Sequence, residues 1–258
     1  MRLGIALVLA LLPAGCFFAS AQNAEVKYRP SVAVDMKVAK GLSLGLEEQA
    51  RFDSEGFDRL HSDLSLGWKI CDFLKADAGY VFILKPSDLR HRPYISLTGS
   101  LKSGPWHFSL KEKFQLTCIP REDLNLFQQP RCKAELKSRV KASYKARTVP
   151  LEPYAAFEAR LLLNGVDETS LATEGASDLS AVLYTDSYFN RLRGMLGVEW
   201  QLSKSSVLDF YSMADYCSDK VIDASSMTNE KHPGKLKDVT VETGWNIIFG
   251  VVYKFRIR

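Results

Sequence analysis

The sequence predicts an all-β fold, an antiparallel transmembrane β-barrel of about 10 to 12 strands with short periplasmic turns and longer extracellular loops. Three observations carry this. Apolar and polar residues alternate over stretches of about ten residues from Glu25 onward, the length and period of a membrane-crossing strand. Short and long connections alternate along the chain. No stretch beyond the first residues approaches the roughly 20 apolar residues of a spanning helix.

The N-terminus has the three parts of a secretory signal: basic Met1-Arg2, an apolar run from Leu3 to Leu12, and Ala19-Ser20-Ala21 as a small-x-small cleavage site. Residues 1–21 are therefore expected to be removed, leaving 22–258 as a single outer-membrane barrel domain. A second reading makes Cys16 a lipidated N-terminus, although Pro13 stands where a lipoprotein signal prefers Leu. The chain has 34 basic and 30 acidic residues; without Arg2 the balance is 33 against 30, too even for a nucleic-acid-binding arm. A mean hydropathy of −0.11 suits a barrel that is apolar on one face and polar on the other.

Period-2 alternation places strands at Val26 to Val38, Leu42 to Phe52, Leu60 to Ile70, Lys75 to Leu84, Arg92 to Lys102 and Trp106 to Cys118. Further strands follow at Arg131 to Lys145, Leu151 to Leu161, Asn190 to Leu202, Ser206 to Tyr216 and Trp245 to Ile257. The last is the plainest: Trp245, Ile247, Phe249, Val251, Tyr253, Phe255 and Ile257 share one face, Asn246, Gly250, Lys254 and Arg256 the other. Gly67 and Gly197 inside strands mark bends or close packing. Lys40-Gly41, Asp72-Phe73, Ser103-Gly104, Thr148-Val149 and Lys204-Ser205 are the tight turns, each followed by a longer link after the next strand. The longest loops are expected at Leu162 to Phe189 and Cys217 to Gly244.

Trp68, Trp106, Trp200 and Tyr144 lie on the apolar parity beside tight turns, as in an interfacial aromatic girdle, with Trp245 toward the opposite rim. Eleven strands conflict with the even count usual in single-chain bacterial barrels, so a missed strand is expected. Candidates are Lys237 to Thr243, a division of the first strand before Pro30, or a strand within Leu179 to Tyr188; the alternative is ten membrane strands with the N-terminal segment folded elsewhere.

The segments Leu44-Gly45-Leu46-Glu47-Glu48-Gln49-Ala50-Arg51-Phe52, Lys111-Glu112-Lys113-Phe114 and Pro153-Tyr154-Ala155-Ala156-Phe157-Glu158 form one succession with two later ones. These are Arg191-Leu192-Arg193-Gly194-Met195-Leu196-Gly197-Val198 and Gly250-Val251-Val252-Tyr253-Lys254-Phe255. The succession resembles a family of uncharacterised outer-membrane barrels, a domain of unknown function, over nearly the whole mature chain. The resemblance implies a barrel and an outer-membrane location, and brings no activity or catalytic residues. The chain departs from many such proteins, which end on an aromatic residue, because Arg256-Ile257-Arg258 follow Phe255.

If the apolar parity faces lipid, the lumen carries Lys111, Lys113, Arg131, Lys133, Lys137, Arg139, Lys141, Arg160, Arg191 and Arg193, together with Glu135, Glu158 and Glu199. Glu47 and Glu152 share that face. These charges either pair in cross-strand ladders and fill the barrel, or form a basic lumen that favours anionic solutes. His107-Phe108-Ser109 has the His-x-Ser spacing of outer-membrane phospholipases, and His61-Ser62-Asp63 puts a His and an Asp on one face. The first lies on the predicted lumen face, away from lipid, so no enzyme is expected; the four histidines are scattered without ligand spacing and no Gly-rich phosphate loop appears, so neither a metal nor a cofactor is expected. Cys118 and Cys132 bracket one loop and form either a disulfide or a pair of buried thiols, while Cys71 lies at the far end from them and from Cys217. The functional expectation is a structural barrel or narrow solute channel with outer-membrane lipid, the barrel-assembly machinery and a small anionic solute as partners. The runner-up is a soluble periplasmic barrel whose apolar parity points inward around an apolar ligand, and an outer-membrane lipid hydrolase comes third.

Overall fold

The computed structural model describes residues 24–86, 89–118, 132–145, 148–165, 186–222 and 239–257. They form eleven strands: β1 (Glu25–Ala39), β2 (Leu42–Asp53), β3 (Gly56–Lys69), β4 (Leu74–Leu84), β5 (Leu89–Ser103), β6 (Trp106–Cys118), β7 (Cys132–Tyr144), β8 (Leu151–Gly165), β9 (Asp186–Gln201), β10 (Ser206–Ile222) and β11 (Val239–Ile257). Each strand pairs antiparallel with the next, and β1 closes onto β11 in parallel, with Glu25 beside Asn246 and Met36 beside Ile257. At a spacing of about 4.8 Å and a tilt of about 40°, eleven strands enclose a backbone circle of roughly 11 Å radius.

The parallel seam corrects the expectation of an even count. A closed barrel has no edge left for another strand, and Val239 to Thr243 extends β11 rather than forming a separate element. Pro30 lies inside an undivided β1, tolerated although it cannot donate to the ladder. Of Leu179 to Tyr188, the described part opens β9 and the remainder lies outside the described residues, as do the predicted signal segment and Arg131. The strands toward the long-loop rim run further than expected: β10 continues to Ile222 and β8 to Gly165. At the same rim β2 and β3 are joined by only Ser54 and Glu55, and β4 and β5 by four residues, as many as join β3 and β4, so the alternation of short and long links fails at two places. Gly41 (φ 79°) and Gly104 (φ 58°) supply the left-handed backbone that two tight turns of the other rim need.

The structure turns the apolar parity outward. Ile95 is 62% exposed, while its chain neighbours Tyr94 and Ser96 are 8% and 6% exposed. Arg29, Gln115, Glu135 and Asp215 are buried on the inside, so the soluble alternative with an apolar interior is the reverse of what is seen. Trp68, Phe73, Trp106, Tyr144 and Trp200 are exposed at the short-turn rim, and Tyr28, Phe52, Phe57, Phe82 and Phe189 toward the other. Along β2, the ten steps from Leu42 to Phe52 rise about 25 Å at that tilt, the height of a membrane-barrel belt. Besides the Tyr80–His91 hydrogen bond at 2.9 Å, two Ser–Glu pairs interrupt the outer face. Ser62 Oγ donates to Glu48 at 2.7 Å and Ser138 Oγ to Glu112 at 2.6 Å, each across a strand pair.

Candidate functional site

The inward parity of β6 to β11 builds a charged wall whose order follows from register. Arg139, Glu158, Arg193 and Asp215 are successive cross-strand partners, so alternation along each strand becomes alternation of sign across the sheet. Arg193 binds Glu158 at 2.8 Å and Asp215 at 3.0 Å. One step toward the long-loop rim, Arg160 pairs with Glu135 at 2.9 Å, and Gln115 also donates to Glu135. In the same layer, Arg191 meets Asp215 at 3.3 Å and donates to the Cys217 sulfur at 2.9 and 3.1 Å. Toward the short-turn rim Lys141 and Lys254 share Glu199, at 2.9 and 3.2 Å, and Lys254 also reaches Asp209 at 2.8 Å. Much of the lumen charge is therefore paired in ladders.

Three inward tyrosines organise this interior. Tyr94, Tyr154 and Tyr211 lie across glycines that are their cross-strand partners: Gly79, Gly197 and Gly250. A Cβ on those glycines would come within 2.4, 2.5 and 2.0 Å of the tyrosine rings or hydroxyls. Flattened in this way, Tyr94 donates to Asp63 at 2.9 Å and Tyr154 to Asp209 at 3.0 Å, while Lys113 and Lys141 sit over the two rings. Gly197 thus serves close packing. Gly67 does so too, against Lys75, Ser43 and Asp77.

Of the residues singled out by sequence, Lys111, Lys113, Lys133, Lys137, Arg139, Lys141, Arg160, Arg191, Arg193, Glu135, Glu158 and Glu199 all occupy the inward parity. Their pattern drew attention to β7. Sequence reasoning passed over Arg29 of β1, which meets the β7–β9 wall across the lumen together with Gln49 and Arg51 of β2. These side chains, with Arg139, Glu158, Arg193, Tyr211, Met195, Met213 and Ala156, line a partly open cavity of about 170 Å³. The parity of Arg29 and Arg51 was readable; which strands oppose β7 is decided by barrel closure.

The remaining candidates do not assemble into catalytic machinery among the described residues. The register neighbours of His107 are Lys102 and Ser143, and its Nε2 has no hydrogen-bond partner. His61 and Asp63 face inward, but the intervening Ser62 faces outward to Glu48. Cys118 and Cys132 are cross-strand partners joined by a disulfide, while Cys71 and Cys217 are free thiols.

Outward apolar and inward charged faces around a closed sheet define the molecule as a β-barrel with a polar lumen. The chain belongs to the family described as protein of unknown function (DUF2490), which matches residues 30–225. No curated protein matches it in sequence. Among solved structures it is similar to the outer-membrane expressed OmpT of Vibrio cholerae, with 12% identity and a TM-score of 0.39. That alignment covers 81% of this chain, which spans 62% of the length of the other.

Proposed function

We propose that this chain is an outer-membrane barrel, delivered after removal of residues 1–21, whose basic lumen forms a narrow anion-preferring pathway without catalysis. The supporting observation is the division of its two faces. An apolar belt of membrane height lies between two aromatic zones, and the carboxylates Glu48 and Glu112 on it each accept a hydrogen bond from a serine across the strand pair. Inside, Arg29, Arg51, Arg139 and Arg193 converge from opposite walls at one level, the arrangement by which a pore selects anions. The partners of this reading are outer-membrane lipid, the barrel-assembly machinery and a small anionic solute. Planar-bilayer conductance of the refolded mature barrel, its fold first checked by heat-modifiable gel migration, tests it. Steady conductance with a reversal potential favouring anions is expected. Silence from folded protein would leave a structural barrel filled by its own ladders.

A further inference from the structure

We propose that the cavity lined by Arg29, Arg51 and Arg139 is a discrete binding site for a compact, multiply charged oxyanion of the phosphate class. The inference deepens the pathway reading and shares its basic lumen, but it does not require a through-going pore. It begins from charge accounting around one cavity. Four guanidinium groups line it with a single carboxylate, Glu158. That carboxylate is engaged by Arg193, which Asp215 compensates from the other side. Among the described residues no ion pair engages Arg29, Arg51 or Arg139, although Arg139 is the cross-strand partner of Glu158. Arg51 has its Nε capped by the Gln49 carbonyl oxygen at 2.9 Å, leaving its terminal nitrogens available. Arg29 is 8% exposed, and its buried Nε has no acceptor.

Three cations without an ion pair around one partly open cavity, Arg29 among them buried, are costly by themselves, because desolvation is not offset by a partner. Arginine is also a donor with no acceptor capacity, so these side chains cannot satisfy one another. A ligand that offers only acceptors on several sides answers both requirements, and planar guanidinium forks match the oxygen edges of a phosphate. The space is suited to such an ion. A cavity of about 170 Å³ holds a tetrahedral oxyanion with a few waters of about 30 Å³ each, and no extended polymer. Its wall also includes Tyr211, laid flat because Gly250 has no side chain, and the apolar Met195, Met213 and Ala156. Apolar walls strengthen each charge-assisted bond by excluding water.

The test is calorimetric titration of the folded barrel in detergent at low ionic strength with inorganic phosphate, with glycerol phosphate in a parallel arm. Saturable binding of one ion per barrel is expected. The double variant Arg29→Gln/Arg51→Gln should weaken it by about tenfold or more, while Lys75→Gln, whose side chain pairs with Asp77 outside the cavity, should leave it unchanged. Tighter binding in one arm would identify the source as the free ion or an ester. Removing uncompensated charges should not unfold the barrel, and heat-modifiable migration of the double variant verifies this. The proposal is overturned if folded wild-type protein binds neither probe, or if the double variant binds as well as wild type. The outcomes separate from those of the pathway reading. Phosphate binding by a barrel silent in bilayers supports the site and defeats the pathway, whereas anion-selective conductance with no saturable binding defeats the site and leaves the pathway.

Discussion

Each of the three tyrosines that cross a glycine gives up freedom of its ring for a fixed position of its hydroxyl. Tyr154 and Tyr94 use that position to satisfy Asp209 and Asp63, and Tyr211 lies in the wall of the arginine-lined cavity. A methyl group at position 250 would meet the Tyr211 ring at 2.0 Å, so the ring must lift into the lumen or the strand pair must spread. Gly250→Ala should therefore destabilise the barrel by about 1–3 kcal/mol, as overpacking does. Denaturant titration followed by heat-modifiable migration measures this, and an unchanged midpoint would show that the ring has room to move. Of these glycines the sequence marked only Gly197, as a bend or a site of close packing, and placed Gly250 on the polar face of the last strand. The tyrosine belonging to each became known with the register, since Gly250 and Tyr211 lie 39 positions apart in sequence order and directly opposite in the sheet.

Among the strands, β7 carries the densest positive charge, and its surroundings divide that charge unequally. Lys141 is held by Glu199, whereas Arg139 faces the cavity with its register partner Glu158 committed to Arg193. Replacing Lys137, Arg139 and Lys141 together by Glu should reverse the ion preference of any conductance, read as a change of sign in the reversal potential across a salt gradient. An unchanged sign in a variant that still shows the folded gel position would place the selective level elsewhere. The hairpin that ends β6 and begins β7 is tied by the bridge between Cys118 and Cys132, 14 positions apart. Closing a loop of that length removes unfolded-state entropy worth about 3 kcal/mol in the chain-entropy account. Strand existence was largely legible, because two-faced strands must alternate: β6 runs from Trp106 to Cys118 as alternation alone places it. Strand ends at the long-loop rim were not. Beyond the apolar belt the alternation gives no signal, yet ladder pairing carries β10 on to Ile222 and begins β11 at Val239.

At the scale of the whole molecule, the outer belt is the feature on which the membrane reading turns. Leu97 is 46% exposed on the apolar face, between Glu112 and Ala76 on the neighbouring strands. In a lipid-embedded barrel Leu97→Arg should cost about 2–4 kcal/mol, and less if made near a rim. In a water-surrounded barrel the same change is nearly neutral. Comparing the two positions by unfolding from bilayers distinguishes these cases. Whether the apolar parity faced in or out could not be read from period, which is the same either way; the larger area outside a closed sheet and the pairing of polar groups inside it decide it. The parallel seam has a further consequence. With an odd number of crossings, Glu25 opens β1 at the long-loop rim and Ile257 ends β11 at the tight-turn rim. In a membrane these two points belong to different compartments, so a protease site beside one would be cut from outside the cell and beside the other only from within the periplasm. The chain ends thus mark the two rims of the barrel, one at each end of β1 and β11.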